Sequence, residues 1–146
     1  MKLTFESNLA YQQEAIQAVV NLFEGQMSEE SGCQYSLNEN GVLDLIAGIG
    51  NRLVLSKEQI LANLQKVQQQ NNILCSDTLE DMHFSIEMET GTGKTYVYLR
   101  TIYELNKKYG FKKFVIVVPS VPIREGVLKN LQITHEHFQT LYDNTP

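Results

Sequence analysis

The chain has 146 residues, of which 42% are hydrophobic and 20% are charged, a composition typical of a globular protein with one core. It contains no apolar run of about 18 residues and no basic-then-apolar leader at its N-terminus, so we predict neither a membrane span nor a signal peptide and expect a cytoplasmic protein. Its two cysteines form no CxxC pair and lie near no histidine cluster, which argues against a zinc site and a disulfide framework.

The formal net charge is −5, but the charges are unevenly distributed along the chain. Between residues 94 and 129, basic side chains outnumber acidic ones by eight to two. A locally basic segment can contact phosphate groups even in an acidic protein. The lysine pairs at 107–108 and 112–113 can equally be a solvated helix end and a solvated turn, because most charge runs lie at the surface. Both interpretations stay open.

The first predicted element is an amphipathic helix over residues 8–24. Apolar residues recur there at helical spacing, at Leu9, Ile16, Val20 and Phe23. Gly25 is suited to end this helix, because glycine adopts the left-handed C-cap conformation without steric cost. The polar residues 26–41 then predict a loop. The apolar run at 41–55 predicts a strand pair or a short helix followed by a strand.

A second helix is predicted to begin after Ser56. Ser56 and Gln59 match a capping box, in which each side chain bonds to the backbone N–H of the other residue. Apolar residues follow at helical spacing, at Ile60, Leu64 and Val67. We interpret this stripe as a core contact.

The second half of the chain predicts a strand, a glycine-rich loop, a helix and a second strand. Residues 83–88 alternate between apolar and polar, as a half-buried strand does. A helix follows over about 93–108, with Gly110 placed to stop it. Residues 114–118 are a continuous apolar run rich in β-branched residues, typical of a strand buried on both faces. This order predicts a right-handed βαβ unit over 81–146, and hence an α/β fold with a central, mostly parallel sheet flanked by helices.

The loop between the first of these strands and the helix carries the main chemical signal, the sequence Glu89-Thr90-Gly91-Thr92-Gly93-Lys94-Thr95. It matches the end of the phosphate-binding pattern Gly-x-x-x-x-Gly-Lys-[Ser/Thr], although Met88 stands in place of the first glycine. Glycines let backbone amides approach phosphate oxygens, Lys94 would reach the β- and γ-phosphates, and Thr95 would hold Mg²⁺. We therefore predict a site for a nucleoside triphosphate. The alternative is a glycine-rich turn that only joins a strand to a helix.

These motifs resemble those of superfamily-two helicase-like ATPases, and within them the motor (Res) subunits of type III restriction enzymes. Residues 11–16 (YQQEAI) are similar to the Q motif of that family. Residues 88–95 are similar to its motif I, in which the first glycine of the general pattern is commonly absent. Residues 117–127 are similar to its motif Ia. The resemblance spans most of the chain and implies a partial RecA-like domain that binds ATP and Mg²⁺.

The resemblance also implies roles for particular residues. Tyr11 and Gln12 would contact the nucleotide, with the Gln12 amide pairing with N6 and N7 of adenine. Without the downstream motif, a glutamine on a helix is expected to face solvent. Ser120 and Arg124 would contact the phosphate backbone of DNA near the start of a helix. Alternatively, Arg124 pairs with Glu125 or another nearby acid.

By the same resemblance, the chain would be the N-terminal, truncated part of a helicase-like domain, with a Q-motif helix at 1–25, an insert at 26–80 and the βαβ unit at 81–146. Phosphoryl transfer in such enzymes needs a further Mg²⁺-binding acid at the end of a buried strand. No acid after Thr95 follows an apolar strand-like run; these acids are Glu104, Glu125, Glu136 and Asp143. We therefore expect weak nucleotide binding and poor hydrolysis from this chain.

The function that the resemblance implies is the ATP-binding part of a DNA translocase subunit in a type III restriction endonuclease. Its partners would be double-stranded DNA and the modification (methyltransferase) subunit of the same system. Two alternatives stay open. A small P-loop kinase would share the loop, although such enzymes usually carry it near the N-terminus. A noncatalytic interaction module with a vestigial loop would bind partners without depending on Lys94.

Overall fold

The computed structural model describes residues 9–27 and 51–142, which contain four α-helices. They are α1 (Ala10–Asn21), α2 (Lys57–Gln70), α3 (Lys94–Tyr109) and α4 (Val121–Leu141). Helix α3 packs against α1 and α4, and α1 also packs against α2. None of the helices described is long and apolar enough to cross a membrane.

Two apolar clusters hold α3 in place. The first joins α3 to α1 and consists of Ile16, Val20, Val97, Leu105, Tyr109 and Phe111. Within it, the Tyr109 hydroxyl donates a hydrogen bond of 2.9 Å to the Val20 carbonyl, so this buried polar group is satisfied. The second cluster joins α3 to α4 through Leu99, Phe138 and Tyr142. The helix that follows the glycine-rich loop is therefore fixed on two sides.

The start of α2 and the end of α3 follow from local sequence, as predicted. The capping box at the start of α2 is confirmed, since the Ser56 amide donates to Gln59 Oε1 (2.8 Å) and the Gln59 amide donates to Ser56 Oγ (3.3 Å). Gly110 ends α3 in the left-handed conformation with φ +72°. The prediction that Gly25 ends the first helix is wrong, because α1 ends at Asn21 with Leu22 as its C-cap; Gly25, with φ +90°, lies in the turn that follows. Glycine is favoured at both positions because other residues adopt this conformation at a steric cost.

Helix α2 attaches to the C-terminal end of α1 through one buried amide. Asn63 Nδ2 donates to the Leu22 carbonyl at 3.1 Å and to the Glu24 carbonyl at 2.9 Å. The last carbonyls of a helix have no partner within the helix itself. Asn63 therefore supplies a donor to the buried carbonyl of Leu22, the C-cap residue of α1, and to the Glu24 carbonyl in the turn that follows, and it fixes α2 against α1.

The predicted α/β fold is wrong for the part of the chain that the structure describes. Over residues 9–27 and 51–142 the regular elements are the four helices, so the predicted parallel sheet and βαβ unit are absent there and the class is all-helical. Residues 83–88 and 114–118 form no strand. Val115 is 89% exposed and Val117 is 87% exposed, whereas a strand inside a parallel sheet buries both faces.

The physical reason is that β-branched residues favour strands through packing against neighbouring strands and not through an intrinsic backbone preference. An apolar run without a paired neighbour therefore does not form a strand, however suitable its composition. The predicted apolar element at 41–55 lies mostly outside the described residues, and its last part, 51–55, has no regular secondary structure. Most of the loop predicted at 26–41 also lies outside them.

Candidate phosphate-binding site

The glycine-rich loop leads directly into α3, and two of its glycines have a left-handed backbone. Gly91 has φ +82° and Gly93 has φ +85°, a region that residues with a side chain rarely adopt. A Cβ atom built at Gly91 would have no atom of a more distant residue within 4 Å, so the loop surface is open at that residue. An open turn of this kind lets an anion approach the backbone N–H groups.

Two hydrogen bonds converge on a single carbonyl inside the loop. Lys94 Nζ donates to the Glu89 carbonyl oxygen at 2.6 Å, and Thr92 Oγ1 donates to the same oxygen at 2.7 Å. Lys94 is exposed, and Thr95 follows it in the first turn of α3 with a half-buried side chain. The Lys94 side chain thus folds back over the loop, and its ammonium group is bonded to a carbonyl within the loop. A bound phosphate would compete with the Glu89 carbonyl for Lys94.

The start of α3 favours an anion electrostatically. Gly93 occupies the N-cap position and supplies no side-chain cap, and the first turn contains no acidic residue. The first N–H groups of a helix have no partner within it, and the helix dipole places partial positive charge there. The Lys94 ammonium adds a full charge at the same end. Together these groups match the requirements of a phosphate.

Gln12, for which the family resemblance implies adenine reading, lies against this loop. Its side chain is only 6% exposed, and its Nε2 donates a hydrogen bond of 2.9 Å to the Thr92 carbonyl. A Cβ atom at Gly93 would lie 2.7 Å from the same Nε2. The sequence pattern contained no signal for this contact, which joins residues 80 positions apart. Adenine reading by Gln12 stays a prediction.

A cleft of about 1270 Å³ opens beside the loop. It lies between α1, α2 and the segment 82–92, and Tyr11 and residues Glu89 to Thr92 form part of its wall. Tyr11 is 45% exposed. The structure therefore brings Tyr11 and the loop to one cavity, which is large enough for a nucleotide.

Ser120 and Arg124, the predicted DNA contacts, lie at the start of α4. Ser120 is its N-cap residue, makes no side-chain cap bond and is exposed. Arg124 Nη1 lies 3.9 Å from Glu125 Oε1, and the two side chains are 66% and 63% exposed. An ion pair this long and this exposed contributes little stability. Arg124 is therefore accessible to a phosphate, and its role in DNA binding stays a prediction.

A cluster of aromatic and polar side chains between α3 and α4 was not predicted. Tyr96, in the first turn of α3, has its hydroxyl 2.9 Å from His137 Nε2, and its ring stacks on Phe138 at 5.4 Å between centroids. Tyr103, about two turns further along α3, also stacks on Phe138. The aromatic residues lie at helical spacings on both helices, and this spacing was the signal that could have revealed the cluster.

The polar groups of this cluster have shifted pKa values. Burial lowers the pKa of His137, and the charge of Arg100 lowers it further. Burial also raises the pKa of the Tyr142 hydroxyl, which donates a 2.6 Å hydrogen bond to Glu104 and accepts one of 3.4 Å from Arg100 Nε. Glu104 of α3 thus accepts a hydrogen bond from Tyr142, the C-cap residue of α4. Across the described residues, no three His, Cys, Asp or Glu side chains are grouped as a metal site would require.

Comparison with known proteins confirms the resemblance inferred from the motifs. The model of the family "Type III restriction enzyme, res subunit" matches residues 7–144. The chain is 35% identical over 145 residues to the EcoPI Res subunit of Escherichia phage P1, and 36% identical over 147 residues to the EcoP15I Res subunit of Escherichia coli. These matches cover 96% and 95% of this chain. Both relatives are named as subunits of type III restriction-modification enzymes.

A third relative, the StyLTI Res subunit of Salmonella typhimurium, is 46% identical over 77 residues, which is 51% of this chain. The chain spans 14% of the length of each of the first two relatives and 8% of the third. The family match covers nearly all of the chain, including α1, the loop and the start of α4. The chain therefore belongs to the family of type III restriction enzyme res subunits.

Proposed function

We propose that this chain binds ATP with Mg²⁺ through residues 89–95 and is the nucleotide-binding part of a DNA-dependent ATPase. One observation carries the proposal: the loop combines two left-handed glycines with Lys94 at the first position of a helix that has no acidic residue in its first turn. Backbone N–H groups, helix dipole and ammonium then act on the same anion. Membership of the res-subunit family supports the same function.

The chain's own residues would act in distinct ways. Lys94 would leave the Glu89 carbonyl for the β- and γ-phosphates, because a charge-assisted hydrogen bond to phosphate is stronger than one to a neutral carbonyl. The Thr95 hydroxyl would hold Mg²⁺, which neutralises phosphate charge during transfer. Tyr11, at the wall of the adjoining cleft, is placed to contact the nucleoside.

In the whole protein, ATP hydrolysis would drive movement along double-stranded DNA. The modification (methyltransferase) subunit of the same restriction system would be its partner. Ser120 and Arg124 are the candidate contacts to the DNA backbone, since both are exposed at the start of α4. A helix N-terminus adds backbone N–H groups to their side-chain donors.

The test is the affinity for ATP with Mg²⁺, measured by isothermal titration calorimetry. Lys94→Ala should weaken binding by about 10- to 100-fold, because a hydrogen bond to a charged group contributes about 1.5–3 kcal/mol. Lys107→Ala is the matched control, since Lys107 lies at the other end of α3 over the Tyr142 ring and should leave the affinity unchanged. Equal affinities of the wild type and Lys94→Ala would favour the noncatalytic module instead.

A further inference from the structure

We propose that His137 is a positioning residue of the candidate phosphate site, and that it acts by holding the first turn of α3 through the Tyr96 hydroxyl. The inference rests on the proposed nucleotide binding by residues 89–95. It gives a role to the contact between α3 and α4, which the sequence did not predict. Two features lead to it: the place of Tyr96 beside the site and the direction of its hydrogen bond.

Tyr96 belongs to the helical turn that carries Lys94 and Thr95. A Cβ atom built at Gly93, the N-cap residue, would lie 4.0 Å from the Tyr96 Cβ atom, so this side chain begins directly beside the glycine-rich loop. Val97, the next residue, is buried in the cluster that α3 shares with α1. The first turn of α3 is therefore fixed to α1 through Val97 and to α4 through Tyr96.

Tyr96 makes two contacts with α4 that can be removed separately. Its ring stacks on Phe138, with 5.4 Å between the centroids and 23° between the planes. Its hydroxyl lies 2.9 Å from His137 Nε2. The ring contact buries apolar area, whereas the hydroxyl contact imposes a direction, because hydrogen bonds weaken steeply away from linear geometry. Tyr96→Phe keeps the first contact and removes the second.

Arg100 decides the direction of the hydrogen bond between Tyr96 and His137. Its guanidinium is hydrogen-bonded to the Tyr96 hydroxyl, and a guanidinium can only donate. The Tyr96 oxygen therefore accepts from Arg100, and its single hydrogen is left for His137 Nε2. The imidazole accepts at Nε2, so it is neutral and carries its proton on Nδ1.

Protonation of His137 would disrupt this arrangement. A protonated Nε2 is a donor and would meet the hydroxyl hydrogen, and the imidazolium would lie beside the buried charge of Arg100. The lowered pKa of His137 agrees with this, because burial and the charge of Arg100 both disfavour the imidazolium. Tyr96 and Arg100 are the titratable groups of α3 that face His137, and on α4 its neighbours His135 and Glu136 are exposed. The Tyr96 bond is thus present at neutral pH and lost as the pH falls through the pKa of His137.

The experiment measures the affinity for ATP with Mg²⁺ by isothermal titration calorimetry at pH 8. Tyr96→Phe should weaken binding by about two- to fivefold, since the full effect of losing one hydrogen bond is about fivefold. Tyr103→Phe is the matched control, because it removes the same hydroxyl from another ring of α3 that stacks on Phe138, and it should leave the affinity unchanged. Ile60→Val, in the buried face of α2, should lower the melting temperature and also leave the affinity unchanged.

Variants of His137 test whether the bond itself is required. His137→Ala should weaken ATP binding as much as Tyr96→Phe does, and the double variant should bind no more weakly than either, because both changes remove one bond. His137→Gln should retain most of the affinity, since an amide oxygen can accept from the Tyr96 hydroxyl. Additive effects in the double variant, or equal losses in His137→Ala and His137→Gln, would overturn the inference.

The pH profile serves if Tyr96→Phe does not fold, which thermal unfolding will show. Between pH 8 and 5 the wild type should lose ATP affinity relative to His137→Gln, because glutamine does not titrate and the protonation of ATP itself is common to both proteins. The loss should follow the titration of His137 as measured by NMR. A constant ratio of the two affinities across that titration contradicts the inference.

The remaining outcomes separate the inference from the proposed function. If Lys94→Ala weakens ATP binding and Tyr96→Phe does not, the inference fails while nucleotide binding stands. If Tyr103→Phe or Ile60→Val weakens binding as much as Tyr96→Phe, the effect is a general loss of stability and the inference fails. If the wild type does not bind ATP, or Lys94→Ala binds it normally, the proposed function fails and the inference fails with it.

Discussion

Individual side chains fix the conformation of the candidate phosphate loop. The Glu89 carbonyl accepts hydrogen bonds from Thr92 Oγ1 and Lys94 Nζ, and Gln12 holds the Thr92 carbonyl from outside the loop. A loop that already has its binding conformation loses less conformational entropy when a ligand binds. Under the proposed function, a phosphate would have to displace Lys94 from the neutral Glu89 carbonyl. The conformation of the loop thus depends on a few short hydrogen bonds to main-chain carbonyl oxygens.

Arg124 is the residue at which DNA binding can be tested most directly. Arg124→Ala should weaken binding to duplex DNA by a similar factor for every sequence, because a phosphate contact carries no base information. The slope of log affinity against log salt should fall by about one. Fluorescence anisotropy at several salt concentrations measures both quantities. Lys66→Ala is the control, since Lys66 lies on α2 beside Glu24, 3.7 Å away. An unchanged salt slope in Arg124→Ala would remove this residue from the DNA interface.

At the scale of helices, α3 connects the two candidate functional surfaces. It begins at Lys94 and is joined to α4 by the Tyr96–His137 hydrogen bond and by the stacking of Tyr103 on Phe138. Phe138 is 1% exposed, so this contact is a fully buried core. Helix α4 begins next to Ser120. The packing of α3 on α4 therefore fixes the distance between the phosphate loop and the candidate DNA contacts.

The lowered pKa of His137 predicts that the stability of the fold depends on pH. Because burial lowers its pKa in the folded state, the unfolded chain binds more protons just below the unfolded histidine pKa of about 6.5. The free energy of unfolding should therefore fall as the pH drops through about 6.5, and the His137 contribution should level off once the pH is below the folded pKa. Well above pH 6.5 the imidazole is neutral in both the folded and the unfolded state, so it does not contribute to the change of the unfolding free energy with pH.

Urea unfolding between pH 5 and 8 measures this effect as the difference between the wild type and His137→Gln. His137→Gln should lack the histidine contribution to the slope of unfolding free energy against pH. His135→Gln, which changes an exposed histidine of the same helix, should retain it. Parallel curves for the wild type and His137→Gln would show that the Tyr96–His137 contact does not respond to protonation.

At the scale of the whole molecule, apolar side chains remain exposed on the segment between α3 and α4. Val115 and Val117 are 89% and 87% exposed, and Ile116 is 41% exposed. Single exposed apolar residues are ordinary, but a continuous run of them promotes association between molecules. The −5 net charge opposes such association through repulsion. We therefore expect association between molecules to depend on this segment and on the overall charge.

Replacing Val115 and Val117 together by serine should reduce concentration-dependent association without lowering the melting temperature. Both side chains are almost fully exposed, so the folded state loses little buried apolar area. Sedimentation velocity at several concentrations measures association, and thermal unfolding measures stability. Val97→Ser is the contrasting control, because Val97 is 4% exposed in the core and its loss should lower the melting temperature. A large destabilisation by the double substitution would contradict the exposure of this segment.

Local sequence was sufficient for the start of α2, the end of α3 and the position of the candidate loop, but it did not predict the end of α1 or the extent of α4. The capping box at Ser56 and the stop at Gly110 act within a few residues. Their patterns therefore predicted the start of α2 and the end of α3 correctly. Gly91 and Gly93 were likewise recognisable, because a left-handed backbone favours glycine at the position itself. The motifs between residues 11 and 127 also identified the family, which the family match confirms.

Long-range pairing could not be derived in this way. Residues 114–118 have the composition of a buried strand, yet strands form by pairing with other segments, and the described residues contain no strand. The contact of Gln12 with Thr92 spans 80 residues, and that of Tyr96 with His137 spans 41. Such contacts arise when helices pack, because helical spacing can indicate which residues share a face of a helix but not which other helix that face meets. Sequence thus indicated the candidate phosphate loop, and the packing of α1 on α3 brought Gln12 against it.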